Sequence, residues 1–322
     1  MTTDTSTEER AARTGLERAS YALYRVRISA VQRIGASFVR LTMTSADLEH
    51  FGAGGYDQRF KVLLLKQPFE SYDPPQDDWY TWWRELPEAV RPTMRTYTVR
   101  AFRPATIDTH AEMDVDFVLH GVQDGHAGPA SRWAANAVVG DEAVLVGPSN
   151  PGTGRMWGVE WAPPATARTL LLAGDETAVP AVSAILERLP AGVKATALLE
   201  VPHAGDLIDL SCAADLTVEW LPRNGSHAPG ELLQARVHEV ASALVDEASS
   251  PVDFEDVDLD TTILWEVPEH AEPAGPECLY AWLAGESGVV KALRRHLVRD
   301  VGVPRSSVAF MGYWREGRAE GE

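Results

Sequence analysis

The sequence predicts two successive folds, an N-terminal antiparallel β-barrel and a C-terminal α/β domain built on a parallel sheet. Short alternating strands fill residues 21–147, a Gly/Pro-rich connector follows, and apolar strands then alternate with helices. With 322 residues, of which 45% are hydrophobic, the chain can bury two cores. We therefore expect domains at 21–155 and 156–322, preceded by a disordered segment at 1–20.

The barrel is predicted from β-branched, alternating segments, most of them separated by Gly, Pro or Asp. These segments are YRVRISAVQRIGASFVRLTMTS, QRFKVLLLK, RTYTVRAF, EMDVDFVLHGV and DEAVLVGP. About six short strands at such spacing are typical of a small antiparallel barrel. One helix interrupts them within GPASRWAANAVVG, where Ser131 is the expected N-cap, Trp133 to Val138 the apolar face and Gly140 the stop.

The α/β domain is predicted from a change of pattern after the connector PSNPGTGRMWGVEWAPPATA. The segment TLLLAGDETAVPAVSAILERLP reads as an apolar strand, a turn and a helix. The alternation of buried strand and helix continues through KATALLEVP, LTVEWLP, TTILWEVP and CLYAWLAGESGVVKALRRHLVRD. That rhythm is typical of a parallel sheet covered by helices.

Charge and composition exclude several classes of partner. The chain has 47 acidic and 29 basic residues, a net charge of −18, which disfavours binding to nucleic acid or to an anionic membrane surface. The N-terminus carries charges where a secretory signal needs an apolar core, and no stretch approaches the roughly 18 apolar residues of a membrane span. We therefore expect a cytoplasmic protein. We also expect a monomer. Cys212 and Cys278 lack metal or disulfide spacing, so both are expected to be small buried hydrophobic residues.

A barrel followed by a nucleotide-type α/β domain is an architecture that joins a flavin to a nicotinamide. The strand RTYTVR has the side chains that such a barrel needs. Alternation predicts Arg95, Tyr97 and Val99 on one face and Thr96, Thr98 and Arg100 on the other. An aromatic ring can support the isoalloxazine, polar groups can bond its pyrimidine edge, and cations can pair with the pyrophosphate. The structural alternative is a barrel strand whose arginines reach into solvent.

The sequence resembles the siderophore-interacting protein family, which comprises FAD-dependent ferric-siderophore reductases of the ferredoxin-reductase-like group. The resemblance runs from about residue 20 to residue 319. Its motifs, in chain order, are RTYTVR, DFVLHG with GPASRWA, LLAGDETAVPA, WLAGESGVVKALRRHL and GYWREGRAE. A single one would be a weak signal, whereas the whole series in this order is specific.

The resemblance implies an FAD site made by two barrel strands, one helix and the turn after the first α/β strand. Its expected residues are Arg95, Tyr97, Thr98, Val99, Arg100, Asp116, Val118, His120, Ala130, Ser131, Asp175 and Thr177. Tyr97 is expected against the ring and Arg95 near the phosphates, with the N-terminus of the GPAS helix at the pyrophosphate. The structural alternatives are a structural role for His120 and helix capping by Asp175 and Thr177.

The resemblance also implies a nicotinamide site and a basic substrate site. Nicotinamide contacts are expected from Gly174, Glu176, Thr177, Gly285 and Glu286. Further along the α/β domain, Glu200 could accept a bond from a ribose 2′-hydroxyl and Arg223 could pair with a 2′-phosphate, so the choice between NADH and NADPH stays open with a lean to NADPH. An anionic ferric siderophore would need local cations, for which Lys61, Lys291 and Arg295 are the candidates, with Arg294 beside them; a solvated helix face is the alternative.

Two aromatic segments have an open role. Residues 69–92 are long for a barrel loop and carry Trp79, Tyr80, Trp82 and Trp83. The segment is expected to pack on the barrel, with a cover over the flavin or substrate as the alternative. Trp314 follows the last strand and could cover the flavin or seal the barrel side.

The predicted reaction is the reduction of Fe(III) to Fe(II) in a ferric siderophore, with electrons from NADH or NADPH. FAD can accept two electrons as hydride and release them singly, so no general base, catalytic side chain or resident metal is needed. The sequence carries no HExxH, Walker or triad pattern, in agreement with chemistry borne by cofactors. The alternatives are a general flavin or protein-partner reductase and a non-enzymatic siderophore-binding protein.

Overall fold

The computed structural model describes residues 21–75, 78–122, 125–149, 158–165, 167–246, 265–266 and 279–317. The chain divides into two compact units. The first holds the described residues up to Arg33 and from Val39 to Val159, and the second holds Ile34–Phe38 and those from Glu160 onward. The expected boundary near residue 155 and the segment 1–20 lie outside the described residues.

The first unit contains a seven-stranded antiparallel half-barrel. Its strands are β1 (Tyr21–Arg33), β2 (Phe38–Ser45), β3 (Arg59–Leu64), β4 (Thr93–Thr98), β5 (Ala101–Arg103), β6 (Ala111–Val118) and β7 (Glu142–Pro148). Their order in the sheet is β4-β3-β7-β1-β2-β6-β5. Alternate side chains point inward, so Tyr24, Val26 and Ile28 of β1 meet Leu41 and Met43 of β2 in the core.

The chain passes from one edge strand of this sheet to the other through Val99 and Arg100. The Val99 N–H donates to the Gln58 carbonyl at 2.8 Å, and the Arg100 N–H donates to the Asp114 carbonyl at 3.0 Å. The segment RTYTVRAF is therefore two strands, β4 and β5, and the single strand predicted for it is wrong. Thr98, Val99 and Arg100 are all buried, so the predicted alternation of faces ends with β4.

In the described part of the first unit, two helices accompany the half-barrel: α1 (Trp79–Glu85) and α2 (Pro129–Asn136). In α1 the Asp78 carboxylate caps the first turn by accepting the Thr81 N–H at 3.2 Å. Trp79 and Trp83 pack on a cluster formed by Leu63, Val144 and Val146. The described part of the aromatic segment 69–92 thus contains a helix that packs on the barrel, as expected.

The start and the apolar face of α2 differ from the prediction. The N-cap is Gly128, because Pro129 at the first helical position lacks an N–H and has a fixed φ that suits a helix start. Ser131 lies in the first turn and is not the N-cap. Val138 lies beyond the helix and is 59% exposed, whereas Ala130 and Ala134 face the core.

The described residues of the second unit form a six-stranded sheet. Its strands are β8 (Thr169–Gly174), β9 (Lys194–Val201), β10 (Asp215–Pro222), β11 (Trp265–Glu266), β12 (Leu279–Glu286) and β13 (Val308–Trp314), in the order β10-β9-β8-β12-β13-β11. The first five in this order run parallel, and β11 is antiparallel to β13. Of TTILWEVP, predicted to continue the strand and helix alternation, the structure describes only β11. Every residue of β8 is buried, as expected for a central parallel strand.

Among the described residues of this unit, three helices pack on the sheet: α3 (Val179–Leu186), α4 (Glu231–Asp246) and α5 (Ser287–Arg295). Leu233, Val237 and Ala241 recur at four-residue spacing and bury one face of α4 in the core. A π-helical segment, His296–Asp300, follows α5, and short 3₁₀ segments span Asp47–His50, Phe69–Ser71, Ala204–Asp206 and Arg305–Ser307.

Two compositional expectations have structural outcomes. Cys212 is a half-buried free cysteine, so its expected full burial is wrong; Cys278 lies outside the described residues. In the described part of the chain, no helix is both long enough and apolar enough to cross a membrane.

Candidate functional site

An aromatic group forms one wall of the candidate site in the half-barrel. The ring centroid of Tyr97 lies 4.2 Å from that of Phe117 on β6, and Phe117 lies 5.6 Å from Trp133 of α2. Tyr97 is half-buried. Its ring is therefore fixed by packing while part of it stays accessible, as a platform for a planar ligand requires.

The register of β3 and β4 assigns the cations of this region to two faces. Tyr97 pairs with Phe60 and Arg95 with Val62, both core residues, whereas Lys61 pairs with Thr96. Lys61 donates from Nζ to Thr96 Oγ1 at 2.5 Å. Because side chains alternate between faces, Lys61 lies on the opposite face of β3 and β4 from Tyr97 and Arg95.

The first turn of α2 offers main-chain donors beside this aromatic wall. No side chain caps the N-terminus of α2 among the described residues, and Ala130 and Ser131 are buried there. The Ser131 hydroxyl donates to the Val118 carbonyl at 3.0 Å, which fastens the helix start to the end of β6. Exposed His120 lies just beyond that strand. A helix start of this kind suits a phosphate group.

Ion pairs to two buried carboxylates fix the strand that flanks the aromatic wall. Asp116 accepts two hydrogen bonds from Arg40, at 2.7 and 2.8 Å, and the Arg100 Nε lies 3.7 Å from its carboxylate. Two residues earlier on the same strand, Asp114 accepts two hydrogen bonds from Arg103, both at 2.7 Å. Burial acts to raise the pKa of the Asp114 carboxyl, but the bonds from Arg103 and from a threonine outweigh it and hold that pKa below its usual value. Asp116 and Arg100 thus take part in these ion pairs, and their contacts with FAD stay predictions.

These groups fit an FAD molecule. A fixed, half-exposed tyrosine can support the flavin ring, and Arg95 with the first turn of α2 can hold the pyrophosphate.

A second candidate site lies at the carboxyl ends of β8, β12 and β13, which are neighbours in the parallel sheet. The Asp175 carboxylate follows β8 and joins them. Its Oδ2 accepts the Glu286 N–H at 2.7 Å and the indole N–H of Trp314 at 2.8 Å. Its Oδ1 accepts the N–H and the hydroxyl of Thr177, at 2.9 and 2.5 Å. Ligands of open parallel sheets bind at this edge.

Two glycines permit the close approach of these strands. A Cβ at Gly174 would lie 2.6 Å from the Ala284 carbonyl oxygen, and a Cβ at Gly285 would lie 2.5 Å from Asp175 Oδ2. Gly285 also has a φ of +141°, which side chains rarely adopt. Both positions therefore require glycine to place backbone beside the carboxylate.

The pKa of the Asp175 carboxyl lies above the usual value for aspartate. Burial, and then the adjacent Glu176 carboxylate, raise its pKa to about 6, against the opposing hydrogen bonds from Thr177 and Trp314. The charged form therefore depends on those donors.

Arg223, at the end of β10, is held by two carboxylates. It donates to Glu176 at 2.8 and 2.9 Å and to Glu200 at 2.8 Å. Burial acts to lower the pKa of Arg223, but the two carboxylates raise it. Glu200 is fully buried and also accepts the Gly230 and Leu233 N–H groups at the start of α4. Glu200 on β9 therefore anchors the start of α4. Arg223 links the end of β10 to Glu200 and to Glu176, which follows β8.

The capping alternative for the turn after β8 is wrong. The N-cap of α3 is Ala178, no described side chain caps this helix, and the Asp175 carboxylate instead bonds Thr177, Glu286 and Trp314. A cap does occur at α5, where the Glu286 carboxylate accepts the Val289 N–H at 2.9 Å. Sequence reasoning did not assign that role to Glu286.

The cations of α5 have different environments. Arg294 is buried with its guanidinium 4.7 Å from the Phe310 ring centroid, Lys291 is half-buried and Arg295 is exposed. Arg294 is thus a packing residue, and the substrate roles of the other two stay predictions.

Sequence reasoning marked Trp314 only as a possible flavin cover or barrel seal and missed its contact with Asp175. The two residues are 139 positions apart, so no local pattern could connect them. The GYWREGRAE motif was the available signal.

The fold and the aromatic wall define the class of protein. A half-barrel with a ring platform and cations, followed by a parallel nucleotide-type sheet, is the architecture of ferredoxin-reductase-like flavoproteins. Two family profiles match, the siderophore-interacting FAD-binding domain over residues 27–152 and the siderophore-interacting protein over residues 167–317. The chain belongs to the siderophore-interacting protein family, which confirms the resemblance and the predicted fold class.

Individual relatives agree with this assignment. The chain is 28% identical over 289 residues to ferric vibriobactin reductase ViuB of Vibrio cholerae, covering 89% of this chain and 87% of that protein. The crystal structure of siderophore-interacting protein SipS from Aeromonas hydrophila is 29% identical, with a TM-score of 0.62 over 93% of this chain and 94% of that one. The ferredoxin reductase of carbazole 1,9a-dioxygenase shares the fold at 15% identity and a TM-score of 0.53, covering 91% of this chain and 68% of that one.

Proposed function

We propose that the protein is an NAD(P)H-dependent, FAD-containing reductase of ferric siderophores that converts Fe(III) to Fe(II) for iron release in the cytoplasm. The observation that carries this proposal is the hydrogen-bonded group of Asp175, Thr177, Glu286 and Trp314 at the ends of β8, β12 and β13. An FAD-binding barrel alone would suit a binding protein, but a second site at the carboxyl ends of parallel strands is where a dinucleotide donor would bind. The reductase name of the Vibrio cholerae relative supports the same reaction.

The side chains of this chain bind and orient, and the cofactors carry the reaction. Bound FAD would take two electrons as hydride and pass them on one at a time, which suits a one-electron acceptor such as ferric iron. Tyr97 and Arg95 would hold the flavin, and the Thr177 and Glu286 backbone fixed by Asp175 would hold the nicotinamide. Fe(III) prefers hard oxygen ligands more strongly than Fe(II), so reduction loosens the siderophore complex.

The surroundings of Arg223 bear on the choice of donor. Its guanidinium already serves Glu176 and Glu200, so one cation faces two carboxylates. A 2′-phosphate would have to compete with both for Arg223. This removes the reason to predict a preference for NADPH. We expect NADH to support reduction at least as well as NADPH does.

The deciding experiment is anaerobic reduction of the purified holoprotein. NADH or NADPH should bleach the flavin absorbance, and a ferric siderophore should restore it while a chromogenic chelator traps Fe(II). Failure of both donors to bleach the flavin would leave a non-enzymatic siderophore-binding protein. Equal rates with ferric siderophores and with artificial acceptors would instead identify a general flavin reductase.

A further inference from the structure

Trp314 is anchored to the candidate nicotinamide site at two points. Its indole N–H donates to Asp175 Oδ2 at 2.8 Å, and its carbonyl accepts the Ser287 hydroxyl at 2.9 Å. In the β12–β13 pairing it lies opposite Glu286, after a shift of register that follows Gly285. The half-buried indole therefore has a fixed position at the edge of the sheet where β8 and β12 end.

Asp175 needs these donors because it is almost fully buried. The residue is 3% exposed, and a buried charge without hydrogen bonds is strongly unfavourable. The Trp314 and Thr177 side chains each supply one donor, and the Thr177 and Glu286 backbones supply the others. Loss of the indole N–H would leave Oδ2 with the Glu286 N–H.

Among the residues that the structure describes, the charged groups around Asp175 do not replace the indole. Glu176 is adjacent and repels the Asp175 charge, while Arg223 is held by Glu176 and Glu200. The Glu286 carboxylate accepts the Val289 N–H at the start of α5. The neutral indole N–H is therefore an important stabiliser of the Asp175 carboxylate.

We propose that Trp314 is a positioning residue of the nicotinamide site: its indole N–H fixes the Asp175 carboxylate, which in turn fixes the Thr177 and Glu286 backbone. This inference rests on the proposed function. Trp314 exchanges neither protons nor electrons in the reaction. Its effect is on the affinity of the reduced nicotinamide and on the pH range over which that affinity is retained.

The test compares Trp314→Phe with Trp83→Phe in the FAD-loaded protein. Both variants keep a ring and lose one indole hydrogen bond, since Trp83 donates to the Pro92 carbonyl at 2.9 Å in the half-barrel. Anaerobic stopped-flow reduction by NADH, repeated across pH, gives the apparent Kd and the limiting rate. It also gives the acid limb of the Kd, which is the pH range at the acid end over which the Kd rises as pH is lowered. Reoxidation of dithionite-reduced protein by a ferric siderophore is measured separately.

For Trp314→Phe we expect the nicotinamide Kd to rise on the order of tenfold, because a bond to a buried charge is lost. The acid limb, expected near the Asp175 pKa of about 6, should move to higher pH, since the charged form loses a donor. Trp83→Phe and the reoxidation step should match the wild type. A folded Trp314→Phe protein with the wild-type Kd and acid limb would overturn the inference.

Two further results separate the possible failures. If neither NADH nor NADPH reduces the wild-type protein, the proposed function fails before Trp314 is tested. If Trp314→Phe does not fold, the ¹⁵N-labelled wild-type holoprotein replaces it. One indole N–H resonance should then titrate with a midpoint of about 6 and shift when NAD⁺ is added. The absence of any titrating indole resonance would contradict the inference.

Discussion

Arg95 and Ser131, which we expect at the FAD pyrophosphate, lie on different elements and have different contacts. Arg95 is half-buried on β4, on the same face as Tyr97, and can supply a cation. The Ser131 hydroxyl is already bonded to the Val118 carbonyl, so its contribution is to hold the start of α2 in place. In an FAD complex, we therefore expect Arg95 to supply charge and Ser131 to position the backbone donors.

The double substitution Arg95→Ala and Ser131→Ala should strip FAD from the purified protein. A charge-assisted bond and the anchor of the helix start are lost together, and each is worth on the order of tenfold in affinity. Fluorescence titration of the apoprotein with FAD measures the loss. Arg84→Ala, at an exposed position of α1, is the control and should bind normally. An unchanged FAD affinity in the double variant would place the pyrophosphate elsewhere.

The raised pKa of Asp175 links stability to pH. Its pKa is about 6 in the folded chain, above the usual value for aspartate, so between these values the folded state binds more protons than the unfolded state. Stability from this group is therefore greatest at low pH and decreases as pH rises through about 6. Above that pH the folded protein must accommodate the ionised carboxylate, and its donors matter most there.

Trp314→Phe should consequently destabilise the protein more above the pKa of Asp175 than below it. A bond to an ionised carboxylate contributes about 1.5–3 kcal/mol and a bond to a neutral one about 1 kcal/mol. Urea unfolding, with excess FAD in both proteins, should show this contrast at about pH 8 and about pH 5, on either side of the Asp175 pKa. An equal loss at both pH values would indicate that Asp175 does not change its ionisation in this range.

At the scale of elements, the sequence predicted what depends on local periodicity. Alternation identified the barrel strands, and the apolar run before Gly174 identified β8 and the turn at Asp175. The break at Val99 and Arg100 was not predicted, because side-chain alternation does not show which strand each backbone group bonds. The contacts between residues at the ends of different strands were not predicted for a related reason. Arg223 meets Glu176 across 47 positions, and only the order of strands in the sheet brings them together.

Arg223→Ala should lower the free energy of unfolding by about 3–5 kcal/mol, because it leaves two buried carboxylates without their cation. The matched control is Arg236→Ala on α4, which also removes an arginine that bridges two carboxylates, Glu219 and Glu239. Water screens both of these ion pairs, so Arg236→Ala should lower the free energy of unfolding much less. Chemical denaturation of both variants gives the comparison. Equal losses would show that Arg223 contributes little to joining β8, β9 and β10.

For the whole molecule, net charge opposes the proposed substrate. The chain carries a net charge of −18, and many ferric siderophores are anions. The resulting repulsion acts over about a Debye length, which is roughly 30 Å at 0.01 M salt and roughly 8 Å at 0.15 M. A cation that contacts the ligand is less affected by salt than this distant field. Salt therefore separates the long-range repulsion from a local basic site.

Lys61 is the barrel cation that this separation can test. It lies on the face of β3 and β4 that carries Thr96, so it can bind substrate only if the siderophore approaches that face. Lys61→Ala should then raise the KM for an anionic ferric siderophore on the order of tenfold at about 0.15 M salt, where distant charges are screened. Flavin reduction by the nicotinamide should be unchanged. In the wild type, the same KM should fall as salt is raised from about 0.01 M, because the repulsion weakens.

Two comparisons make this result specific to Lys61. Lys66→Ala removes an exposed lysine just beyond β3, whose Nζ donates to the Glu88 carbonyl at 2.8 Å, and its KM should equal that of the wild type. A neutral ferric chelate should show neither the salt dependence nor the effect of Lys61→Ala, since it carries no charge for either field to act on. If Lys61→Ala changed the KM of both chelates equally, or of neither, substrate would be bound away from this face. The cations of the second unit, Lys291 and Arg295 on α5, would then become the residues to substitute.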